Sequence, residues 1–238
     1  MAWLTRTVDK TAVHDCSLWI GSERVQPASA VRVLGVLFDS ELTMKSHIAR
    51  TASACFYRLR RLRQIRRRVG EDVAVRLVLA LITSRLDYCN STLTGLPKST
   101  LDPLQRVQNA AARLIFQLGP RDHVTPSLIQ LHWLPVRSRV QYKLCMLMHY
   151  IHSGRAPAYL MDSVQATSAR TRREGLRSAA TTNYVIPRLR TKFGERSFSY
   201  AGPAAWNALP ADLRQQSVSS TFKQQLKTLF FKSAFNID

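Results

Sequence analysis

The chain has 238 residues, 45% of them hydrophobic, enough for one large or two small globular domains. Thirty-five Lys and Arg against fifteen Asp and Glu give a net charge of +20, which points to a polyanionic partner, most often nucleic acid. No run approaches the ~18 uninterrupted apolar residues of a membrane span, and residues 1–15 lack the apolar core of a signal peptide. Cys16, Cys55, Cys89 and Cys145 are far apart and form no CxxC pair, so neither a zinc ribbon nor a disulfide framework is indicated. A reducing, intracellular compartment is the simpler expectation, with nucleus and cytoplasm equally open.

Residues 1–15 are polar and without clear period. Cys16 to Ile20 reads as a strand, Gly21-Ser22 as a turn, and Glu23 to Gln26 as its hairpin partner. Val31 to Phe38 (VRVLGVLF) reads as one strand, rich in β-branched residues, between Pro27 and Asp39. Asp39 to Thr43 is turn and cap chemistry, with Ser40 or Thr43 as the capping hydroxyl.

Met44 to Val69 reads as a long helix whose apolar stripe is Ile48, Ala52, Cys55, Phe56, Leu59, Leu62, Ile65 and Val69. Arg50, Arg60, Arg61, Arg67 and Arg68 fall broadly opposite and form the densest positive field, the candidate nucleic-acid contacts. Gly70 ends the helix, and Glu71-Asp72 begins the next with the sign its dipole favours.

Leu77, Val78, Leu81, Ile82 and Leu86 mark one buried helical face. Leu101, Leu104, Val107, Ala111, Leu114 and Ile115 mark a second, and the turn at Gly95-Leu96-Pro97 makes the two helices antiparallel neighbours. Ser127 to Trp133 is a short helix. Val136 to His152 is a longer one with Val140, Leu144, Leu147 and Ile151 inward. Gln165 to Thr182 is polar and basic, the best candidate boundary. Tyr184 to Ile186 and Thr191 to Phe193 read as short strands, Phe198 to Pro210 as an aromatic turn-helix, and Thr221 to Phe231 as a terminal helix.

The sum is a mainly α fold: a helical bundle with a small N-terminal antiparallel β element and a short mixed C-terminal region. Its expected units are 1–42, 43–164, a basic linker 165–182, and 183–238.

No GxSxG, HExxH, P-loop or GxGxxG motif is present. Cys145, His149 and His152 share a helix at metal-compatible spacing, but core packing is the better reading of all three, and no metal site is expected. Two-metal phosphoryl transfer needs clustered carboxylates. The Asp residues are scattered and no two are adjacent.

Several ordered blocks carry a resemblance. They are Val31 to Met44 with His47-Ile48, Ser84-Arg-Leu-Asp-Tyr-Cys-Asn90, Gly95-Leu-Pro97, and Leu104 to Ile115 (LQRVQNAAARLI). Downstream follow Arg121 to Pro126, Leu131-His-Trp-Leu-Pro-Val136, Arg139, Tyr142-Lys143, Gly202 to Pro210, Thr221-Phe-Lys223, Leu226-Lys227 and Leu229-Phe230. In this order they resemble the region behind the polymerase palm of non-LTR retrotransposon reverse transcriptases, best the Jockey-like group and its kin.

The resemblance implies a late-palm and primer-grip β element in 1–42 and a thumb-like helical bundle in 43–164. A thumb holds a template–primer duplex by its backbone. The implied partners are RNA, DNA or RNA–DNA hybrid, with the palm and fingers of the same polymerase as a further partner. The family's aromatic-Ala-Asp-Asp motif and earlier Asp would precede Met1, so this chain is expected to be inactive alone, with magnesium needed only by an intact polymerase. Lys10 matches a family lysine at the leaving pyrophosphate, although Thr7-Val8 and Ala12 replace its usual neighbours. The alternatives are a free-standing basic nucleic-acid-binding protein and a translated transposon fossil without function.

Overall fold

The computed structural model describes residues 17–167 and 182–237. The fold is mainly α, with two small antiparallel sheets of two strands near its start. Strand β1 (Leu18–Ile20) pairs with β2 (Glu23–Val25) across Gly21, whose φ is 64°. Strand β3 (Ala30–Val33) pairs with β4 (Val36–Asp39), placing Val31 opposite Phe38. The run 31–38 is therefore a hairpin, not the single strand its composition suggests. Leu34 and Gly35 both take positive φ, 46° and 86°, which is the two-residue turn that matches strand twist.

Helix α1 (Lys45–Ile65) buries Ile48, Ala52, Cys55, Leu59 and Leu62, at alternating steps of four and three. Continued once more, that spacing reaches residue 66, in a 3-10 turn at Arg66–Arg68. Phe56 and Ile65, expected in the stripe, are instead 37% and 41% exposed, and Arg66 is the buried residue.

Helix α2 (Glu71–Val78) runs through a π turn (Leu79–Thr83) into α3 (Ser84–Asp87). Ala74, Val78, Ile82 and Leu86 are buried at strict steps of four. In an α-helix such a stripe rotates about 40° per step. The π turn, with its wider i→i+5 winding, offsets that drift and keeps the four on one face. Leu81, expected inward, is 38% exposed, and Leu77 is half-buried.

Helix α4 (Lys98–Ile115) packs most extensively on α1 and also touches α2 and the π turn. After α5 (Thr125–Gln130) come α6 (Val136–His152), α7 (Ala158–Met161), α8 (Phe198–Asn207), α9 (Ala211–Arg214) and α10 (Ser219–Phe235). Four of these helices, α4, α6, α7 and α9, begin directly after a proline: Pro97, Pro135, Pro157 and Pro210. Each has φ between −53° and −59°, as the proline ring requires, with an extended ψ between 145° and 152°.

The expected strands at 184–186 and 191–193 do not form. Tyr184 makes one isolated bridge to Ala166, and 194–196 is a 3-10 turn. Pro187, directly after 184–186, lacks the N–H that a longer ladder would need. Most of the expected linker, 168–181, lies outside the described residues.

Two cores share α6. One gathers β4, α1 to α5 and the start of α6. The other gathers the end of α6 with Tyr184, Trp206, Leu213, Phe222 and Leu226. This double use buries Val136, Cys145, Met146, Met148 and His149 beyond the single inward face that periodicity suggests. Gly202 of α8 closes the contact, since a Cβ there would lie 2.9 Å from Met148 Sδ. Among the described residues no helix is long and apolar enough to cross a membrane.

His149 is 1% exposed, stacks on Phe222 at 4.1 Å, and has Nε2 3.0 Å from Ser219 Oγ, while Nδ1 has no partner. Burial, then the charges of Arg155, His152 and Lys223, lower its pKa below the ordinary 6.5. The folded state thus keeps His149 neutral where the unfolded chain would protonate it. Stability is then flat above pH ~6.5 and falls with pH below it, by up to about 1.4 kcal/mol per unit from this one group. Thermal melts of wild type and His149→Gln at pH 7.5 and 5.5 check this, the variant losing less on acidification.

Candidate nucleic-acid interface

The β3–β4 hairpin is docked on α1 by Asp39. Its carboxylate accepts hydrogen bonds from the backbone N–H of Thr43 (2.7 Å) and Met44 (2.9 Å) and from the Thr43 hydroxyl (3.1 Å). Burial alone would raise the pKa of Asp39, but these donors hold it below its usual value. Asp39 bonds the residues just before α1 and none of its first-turn N–H groups; of the two hydroxyls expected to cap the helix, Thr43 Oγ1 accepts a 3.4 Å bond from the Lys45 N–H. A second tie comes from Tyr88, just past α3, whose hydroxyl donates to the Leu34 carbonyl at 2.5 Å. His47 makes the third, its Nδ1 accepting from Leu37 N–H at 3.4 Å. Burial and the adjacent Arg50 lower the His47 pKa, so the ring is neutral with its proton on Nε2.

These three ties enclose a groove of about 470 Å³ between the hairpin, α1 and α3. Arg32 comes from β3, Arg50 from α1 and Arg85 from α3, and no carboxylate lines the groove. His47, Tyr88 and Gly35 complete its walls. Three guanidiniums from three elements, with no internal counter-ion, make a site for phosphate oxygens.

At the other end of α1, Arg63 and Arg67 line a second groove of about 460 Å³ with Arg113 and Gln117 of the α4 C-terminus. Arg66 sits at its base but is occupied. Its Nε lies 3.1 Å from both the Leu114 and Ile115 carbonyls, and Nη1 donates to Val69 O at 2.9 Å. It therefore caps α4 with a side-chain cation, where the helix dipole favours one. Arg113 is also engaged, donating to the Asp122 carbonyl at 3.1 and 3.3 Å.

The five arginines expected from sequence are all exposed but do not form one site. Arg50 lines the first groove and Arg67 the second, seventeen residues apart, roughly 25 Å at helical rise. Arg60, Arg61 and Arg68 line neither. Arg32, Arg85, His47 and Tyr88 escape the sequence reading because the arginine run at 58–68 dominates composition. The weaker signal was Arg85 and Tyr88 within the Ser84–Asn90 block. Lys10 lies outside the described residues.

The Cys145, His149 and His152 trio is spent on packing. Cys145 is fully buried, its thiol pushed up to about 12 by burial. His152 meets Tyr184 edge-on and tilts over Trp206. Among the described residues no group of three or more His, Cys, Asp or Glu is placed to hold a metal ion. Set against known protein families, curated proteins and solved structures, the chain matches none of them.

Proposed function

We propose that this chain binds RNA, DNA or RNA–DNA hybrid through phosphate contacts in the groove between the β3–β4 hairpin, α1 and α3, as the thumb-like, post-palm part of a non-LTR retrotransposon reverse transcriptase. The observation that carries the binding reading is the convergence of Arg32, Arg50 and Arg85 on one groove free of carboxylates. The net charge of +20 supplies the long-range attraction. The ordered sequence blocks supply the polymerase lineage.

In this reading the residues present grip and orient a duplex and perform no bond chemistry. Nucleotide addition, and the magnesium it needs, belong to a palm and fingers that would be this chain's protein partner.

The test is equilibrium binding of the purified chain to a 20-base-pair RNA–DNA hybrid across a salt series. Tight binding at low salt that weakens steeply as salt rises is expected, because phosphate contacts release counterions. Undetectable or salt-independent binding would count against the reading.

A further inference from the structure

A second cleft, of about 500 Å³, lies away from the arginine grooves. It is built from residues up to 148 positions apart: Leu79 and Asp87 on the α2–α3 helix, the Leu131–Leu134 turn, Arg139 and Lys143 on α6, and Lys227 on α10. Arg139 grips Asp87 in bidentate fashion, with Nε 2.8 Å from Oδ1 and Nη2 on Oδ2. That pair is internally neutral. The net charge of the cleft is left to Lys143 and Lys227, both exposed and neither with a partner among the described residues.

The walls are of two kinds. Leu79, Leu134 and the buried Trp133 give an apolar side. Asn90 gives a polar one: it is 4% exposed, its Nδ2 faces Asp87 Oδ1 at 3.4 Å, and its Oδ1 makes no hydrogen bond. The Asn90 side chain borders the cleft, but its unpaired oxygen is itself covered. His132 stands at the rim with φ 54°, a strained conformation for a side chain of its size, its ring stacked on Phe231 at 5.8 Å.

We propose that this cleft binds a nucleoside 5′-phosphate. The two lysines take the phosphate and the apolar wall takes the flat body. Its volume falls in the range of small-molecule sites, and cationic and apolar residues share its wall. The same chemistry is offered by a free mononucleotide and by the phosphorylated 5′ end of a strand.

Isothermal titration of the full chain with adenosine 5′-monophosphate tests this. Wild type should bind it at least tenfold more tightly than adenosine or inorganic phosphate. Lys143→Gln/Lys227→Gln should lose at least tenfold. Lys45→Gln/Lys98→Gln, exposed lysines elsewhere, should lose none, and an Arg32→Gln/Arg50→Gln/Arg85→Gln variant should also bind the nucleotide normally, which separates this site from the duplex groove. Thermal melts establish that each variant is folded. Preference for a 5′-phosphorylated over a 5′-hydroxyl oligonucleotide identifies a strand end as the source, and equal binding identifies the free nucleotide. No binding by wild type, equal affinity for inorganic phosphate, or affinity unchanged in Lys143→Gln/Lys227→Gln would overturn the assignment.

Discussion

Arg66→Ala is expected to destabilise the chain by about 3 kcal/mol, while Arg67→Ala changes stability by less than about 0.5 kcal/mol. The two arginines are adjacent and identical in type, so composition cannot separate them. Arg66 is 8% exposed and holds the last carbonyls of α4 together with Val69 O. Its removal strips the buried Ile115 carbonyl of its side-chain donors, worth about 1–3 kcal/mol, and takes a donor from the part-buried Val69 carbonyl, while Leu114 O keeps the Gln117 N–H. It also removes a cation from the negative end of a helix. Arg67 points into the open second groove and carries no such load. In a chain of this size each kcal/mol shifts the melting temperature by roughly 2–4 °C, so a fall of about 6–12 °C is expected for Arg66→Ala. Equal melting of the two variants would show that the α4 cap contributes nothing.

Arg32→Gln/Arg50→Gln/Arg85→Gln is expected to weaken hybrid binding about a hundredfold at low salt. Arg60→Gln/Arg61→Gln/Arg68→Gln, which removes the same three charges, should weaken it only severalfold. Charge alone predicts equal losses. The geometry predicts the difference, because the first set converges on one concave surface and the second set lines neither groove. The first set is also free to be changed: all three residues are exposed, and the hairpin is held by Asp39, Tyr88 and His47 rather than by the arginines. A reading based on the densest arginine run would give the opposite order.

The helices were largely legible from sequence because their signals are local. The prolines before α4, α6, α7 and α9 and the apolar period of α1 and α4 mark them directly. What sequence missed was set by distant partners. Leu34 in a positive-φ turn is tolerated where the Tyr88 hydroxyl, fifty-four residues on, meets its carbonyl. Arg66 reads as one more surface cation until α4 supplies the carbonyls it bonds. Helix α6 looks amphipathic with one inward face, yet it is claimed by two cores whose second half arrives after residue 182. The same non-locality hid the candidate site. Arg32 and Arg85 are isolated in sequence and become neighbours of Arg50 only through the hairpin and the α2–α3 helix. The Asp87–Arg139 pair and the two lysines of the nucleotide cleft likewise meet only in three dimensions.

The most direct measurement is the slope of log binding constant against log salt for the RNA–DNA hybrid, taken on wild type and on both triple variants. Each phosphate contact contributes about 0.7–0.9 to that slope. The slope should fall by roughly 2–3 for Arg32→Gln/Arg50→Gln/Arg85→Gln and by less than about 1 for Arg60→Gln/Arg61→Gln/Arg68→Gln. Equal slopes for the two variants, or a wild-type slope near zero, would contradict the central claim that a carboxylate-free arginine groove between the hairpin, α1 and α3 holds the nucleic-acid backbone.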